Sequence, residues 1–137
     1  MKINNRGLAL WGLYAAFAAY AFYSYWHETT FRFNGPLGGI KLLVWLVLAG
    51  FLIYSVYCSA REDLFRSIGA ISKLHWGRQI GTDLYLGLFI GILIIYLHEG
   101  AIAALIWLIP TIAFANLSIF LYVALNFDSI VVRFLGS

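Results

Sequence analysis

The sequence predicts an all-α integral membrane protein. Four transmembrane helices are expected, arranged as two tandem helical hairpins, in a single membrane domain over residues 1–137 with a short amphipathic interfacial helix at 61–76. Three observations predict this. Of the 137 residues, 63% are apolar and 11% are charged, whereas a soluble domain of this size carries roughly 25% charged residues. Mean hydropathy is +0.87. The apolar residues gather into stretches near the roughly 20 residues a helix needs to cross a bilayer, without the alternation of about ten-residue barrel strands.

The first stretch, 8–26, follows Lys2 and Arg6 and ends in Tyr23, Tyr25 and Trp26. Its apolar run exceeds the about 7–15 residues of a secretory leader, and its end is bulky, so it is expected as a retained helix. The second stretch covers 40–60. The third, 82–98, has the shortest apolar core and borrows Thr82, Asp83 and His98 at its ends. It carries Gly87 and Gly91, a small-xxx-small pair suited to close helix approach. The fourth, 101–125, holds Pro110, expected to bend the helix, and Asn116, expected to bond across helices.

Between the second and third stretches, Ser59 and Glu62 have the spacing of a capping box. Leu64, Phe65, Ile68 and Ile71 then share one helical face, with Glu62, Arg66 and Lys73 on another. This is the pattern of a helix lying in the headgroup layer, with Trp76 as anchor, a Glu62–Arg66 pair, and Gly77 and Gly81 as breaks.

Lysine and arginine set the expected orientation. Lys2, Arg6, Arg61, Arg66, Lys73, Arg78 and Arg133 fall on one side of four spans, against Arg32 and Lys41 on the other. Both termini are therefore expected to be cytoplasmic, in the inner or plasma membrane.

A weak internal repeat accompanies this layout. Tyr14, Tyr25, His27 and Glu28 align without a gap on Tyr85, Tyr96, His98 and Glu99, and "LVWLVL" at 43–48 resembles "LIWLIP" at 105–110. His27 and His98 have the donor atoms for a haem iron, and Glu28 and Glu99 could complete a metal site. Adjacent residues on a helix diverge by about 100°, however, so each pair points two ways. Membrane exits beside an aromatic belt explain the same residues.

A second constellation is Arg61, Asp63, His75, Arg78 and Asp83, joined at the cytoplasmic mouth by Asn126 and Asp128. Arginine and histidine there could hold a phosphate, and an aspartate could act as base or metal ligand. No phosphate-binding glycine loop or nucleophile elbow accompanies them. The middle of each span lacks Asp, Glu, Lys, Arg and His, which argues against an ion-coupled pump or a retinal protein. The single Cys58 excludes an intramolecular disulfide and a cysteine-based zinc site. Basic residues beside apolar spans read as topological signals, not as a nucleic-acid footprint.

"WGRQIGTDLYLGL", with Asp83, Tyr85 and Gly87, followed by Glu99, Trp107, Asn116 and Tyr122, resembles small uncharacterised bacterial four-helix membrane proteins of the domain-of-unknown-function type. The resemblance covers about residues 76–125 and implies a helical membrane fold, with no activity to carry over. The expected role is an accessory or scaffolding subunit, or a component contacting lipid or a hydrophobic ligand, partnered by the bilayer and by other membrane subunits or further copies. The alternatives are a haem or metal protein using His27 and His98, and an interfacial enzyme or small transporter for a lipophilic substrate near Asp83.

Overall fold

The computed structural model describes residues 5–33 and 35–135, and Lys2 lies outside them. Among the described residues seven helices follow in order: α1 Asn5–Tyr25, α2 Gly38–Arg61, α3 Leu64–Ile71, α4 His75–Glu99, α5 Ala101–Phe114, α6 Asn116–Leu125 and α7 Phe127–Leu135. No strand occurs among the described residues.

α2 and α4 are long and apolar enough to cross a membrane, and the count rises to 3 if α6 and α7, bent by 76°, form one span. At 21 residues α1 is about 32 Å long, but four tyrosines and Trp11 dilute its aliphatic content. α4 begins at His75, two turns before the expected 82. Gly77 and Gly81 therefore sit inside it and break nothing. A Cβ on Gly77 would meet the Ile71 carbonyl oxygen at 2.1 Å, so glycine here lets α4 start tightly against the end of α3.

The largest departure from expectation is in 101–125. One bent span was expected there, yet the chain reverses. Ala115, between α5 and α6, has φ 53° and ψ −124°, in the left-handed half of backbone space where a side chain is strained. Thr111 Oγ1 lies 3.2 Å from Ser118 Oγ, and the Trp107 and Tyr122 rings are 5.0 Å apart. The two helices thus run antiparallel. Pro110 is accommodated within α5, and the break falls five residues later.

Contacts along α4 show the same path. Tyr85 bonds the Ile112 carbonyl at the end of α5, Gly91 faces Ile119, and His98 reaches Tyr122. α5 thus runs back along α4, and α6 returns beside it in the same direction as α4. α6 becomes the core, with Leu117, Ser118, Leu121, Tyr122, Ala124 and Leu125 all buried. Helices α1, α2, α4 and α5 pack around it.

The reversal places the start of α1 and α7 at opposite ends of the bundle. At one end Trp11 donates to Ser59 Oγ and Arg6 pairs with Asp63; this is the α3 end. At the other, Lys41 holds Asp128 and the Thr29 carbonyl; this is the α7 end. The expected arrangement, with both ends of the chain together, required 101–125 to run the length of the bundle once, and the turn at Ala115 folds it back instead.

α3 occupies residues 64–71 of the interfacial stretch expected at 61–76. Its N-cap is Asp63, which accepts from Phe65 N–H. The expected capping box does not form: Ser59 is engaged by Trp11, and Glu62 closes α2 while accepting from Ser67 Oγ. Leu64, Phe65, Ile68 and Ile71 form an exposed apolar face, as their spacing predicts.

Candidate functional site

At the α7 end, α1, α4, α5, α6 and α7 each contribute to one hydrogen-bonded cluster. Tyr122 donates to Glu99 Oε1 at 2.7 Å, and Tyr25 donates to Glu99 Oε2 at 3.3 Å. Trp107 Nε1–H donates to the Tyr25 hydroxyl at 3.2 Å. With its proton directed at Glu99, the Tyr122 oxygen accepts from His98 Nδ1–H. That tautomer leaves His98 Nε2 to accept from Ser129 Oγ, 2.7 Å away.

The rings brace the cluster. Trp107 is fully buried and meets Phe17 edge-on at 4.9 Å and Tyr25 at 5.9 Å. Such edge-to-face contacts fix orientation as well as burying area. Both ring nitrogens of His98 and both oxygens of Glu99 are committed within the protein. The cluster therefore fastens five helices together.

The repeated His-Glu pairs differ in structure. His27 and Glu28 are exposed just beyond α1, where the His27 backbone N–H bonds Thr30 Oγ1. His98 and Glu99 are in the cluster. Among the described residues no group of three or more His, Cys, Asp or Glu gathers to hold a metal ion. The aligned tryptophans also differ. Trp45 packs against Phe31 with the rings tilted at 47°, its Nε1 buried and unpaired among the described residues, while Trp107 Nε1 is bonded.

The second constellation is divided between the two ends. Arg61 and Asp63 lie at the α3 end, and Arg78 bonds His75 Nδ1 at 2.9 Å near the start of α4. Asp83 is exposed in the third turn of α4. Asn126 and Asp128, expected beside them, lie at the α7 end, because α6 carries them back there. Asn126 is buried and bonds the Tyr122 carbonyl, and Asp128 pairs with Lys41 at 2.8 Å.

The packing residues also separate. A Cβ on Gly91 would approach Ile119 Cδ1 to 2.9 Å, whereas one on Gly87 would meet nothing within 4 Å. Asn116 opens α6 at the reversal, and Pro110 is buried within α5.

A groove of about 630 Å³ lies toward the α3 end, between α1, α2, α3 and the tip of the α5–α6 hairpin. Trp11, Phe51, Tyr54, Phe114 and Leu117 line much of it, while Ser59, Glu62, Asp63 and Ser67 gather on the side next to α3. Exposed Cys58 also lines it. Sequence reasoning missed this groove because one side of it, Ala113, Phe114, Ala115 and Leu117, is the hairpin tip. Comparison with family models, with curated proteins and with solved structures finds no match to this chain.

Proposed function

We propose that this chain is a membrane-embedded, non-catalytic component that holds a lipophilic amphiphile in the groove beside α3. One observation carries this reading. The volume of about 630 Å³ falls in the range of roughly 300–1,000 Å³ typical of small-molecule sites, and aromatic and aliphatic walls end in a polar rim. An acyl or prenyl chain suits the walls, and a polar head suits Ser59, Ser67 and the two carboxylates. The exposed apolar faces of α2 and α4, with Ile53 at 70% and Phe89 at 65% exposure, suit the bilayer or a neighbouring membrane subunit in the cell membrane.

The test uses full-length protein purified in mild detergent. Native mass spectrometry is expected to find a retained lipid, and adding that lipid should slow maleimide labelling of Cys58. Ser55→Trp, which fills the groove, should lose the lipid while remaining folded. Equal lipid retention by both proteins would defeat the proposal.

A further inference from the structure

We infer that α5 and α6 form a re-entrant hairpin entering the membrane from the α7 end, and that α7 lies against the lipid headgroups of the leaflet opposite α3. Length is the first argument. With 14 and 10 residues, α5 and α6 are about 21 Å and 15 Å long, and neither alone crosses a hydrocarbon core of about 30 Å.

The turn itself is the second argument. Irregular backbone survives at membrane depth where protein satisfies its polar groups. Here Ala115 N–H bonds the Thr111 carbonyl, Ser118 N–H bonds the Ala115 carbonyl, and the Tyr85 hydroxyl caps the Ile112 carbonyl. The hydroxyls of Thr111 and Ser118 are buried and turned on the hairpin's own atoms. Tyr14 adds a bond to the Leu117 carbonyl. Each of these polar groups is therefore satisfied by protein.

The third argument is the direction of α7. α6 runs alongside α4, one of the spanning helices, and the bend of 76° turns α7 nearly across that axis. A helix so placed lies close to the membrane plane. It exposes Val132, Phe134 and Leu135, at 56%, 47% and 67%, with Arg133 beside them for anionic headgroups. Asp128, held by the buried Lys41, pins its first turn. α3 carries the corresponding apolar face at the other end.

α1 runs from Arg6 beside Asp63 to Tyr25 beside Glu99, between the same two ends as α2 and α4, so this path has three full crossings, α1, α2 and α4. Arg6, Arg61, Arg66, Lys73 and Arg78 then lie at the α3 end, against Arg32, Lys41 and Arg133 at the α7 end. The bias still makes the α3 end cytoplasmic, and it transfers α7 to the opposite face.

Sidedness of labelling tests the inference. In a Cys58→Ser background, single cysteines at Ser72, Arg32 and Arg133 are treated with membrane-impermeant maleimide in intact cells and inverted vesicles. Arg32→Cys and Arg133→Cys are expected to label from the same face, and Ser72→Cys from the other. Val132→Cys replaces Arg133→Cys if that variant does not accumulate. Labelling of the α7 cysteine from the same face as Ser72→Cys would overturn the hairpin. For the surface contact, bimane on Leu135→Cys is read in phosphatidylcholine–phosphatidylglycerol vesicles brominated at shallow or deep acyl positions. Stronger quenching by the shallow bromine is expected, and absence of quenching by either would overturn the contact.

Discussion

Tyr122 gives its hydroxyl proton to Glu99 Oε1 across 2.7 Å, joining the central helix to the end of α4 between residues 23 apart in sequence. The same oxygen receives His98 Nδ1–H, so one hydroxyl serves two partners. Tyr122→Phe therefore removes a bond to a carboxylate and leaves an imidazole donor without its acceptor. A loss of about 2 kcal/mol is expected, read as earlier thermal unfolding in detergent. Tyr25→Phe loses a longer, exposed bond to Glu99 at 3.3 Å but also leaves the buried Trp107 N–H without its acceptor, so a loss of similar size, about 2 kcal/mol, is expected.

Lys41 and Asp128 form an asymmetric pair. The lysine side chain is 3% exposed and the aspartate 54%. Removing the aspartate leaves a buried cation with the Thr29 carbonyl but no opposite charge, whereas removing the lysine leaves a carboxylate facing water. Asp128→Ala is expected to destabilise by about 2 kcal/mol, and Lys41→Met by less than about 1 kcal/mol. Equal losses, or the reverse order, in matched melts would contradict this account.

The two glycines of α4 should respond in opposite directions. Gly91→Ala drives a methyl against Ile119 and should cost about 1 kcal/mol as the core side chain shifts. Gly87→Ala enters open space and should gain roughly 0.5–1 kcal/mol from helix propensity. Melting temperatures of both variants, purified identically, decide the matter.

Ala115 carries the backbone strain of the reversal. Ala115→Gly should relieve about 1 kcal/mol and raise stability, while Ala115→Val should lower it by more, because a β-branched residue fits φ 53° poorly. If the chain instead continued as one helix through 101–125, the order would invert, since glycine weakens a helix interior.

Part of this architecture could be read without coordinates. The apolar face of α3 follows from the spacing of Leu64, Phe65, Ile68 and Ile71, a local periodicity that the fold preserves. The polar atoms at the α7 end were visible in His98 and Glu99, but their partners were not. Tyr25, Trp107, Tyr122 and Ser129 come from four other helices and share no motif. An apolar run of 25 residues from 101 to 125 has the composition of one crossing, which predicts Asn126 and Asp128 at the opposite end from where α6 carries them.

Composition alone identifies a helical chain with apolar segments fit for a bilayer, because apolar content and run length are properties of neighbouring residues; it predicts four such spans, where the structure has two to three helices long and apolar enough to cross. Tertiary structure decided that 101–125 folds back on itself. That choice depends on a positive φ at Ala115 and on hydroxyls from Tyr14 and Tyr85, which reach carbonyls 103 and 27 residues along the chain. Hydropathy measures how readily a segment leaves water; it does not record which way the segment travels once inside.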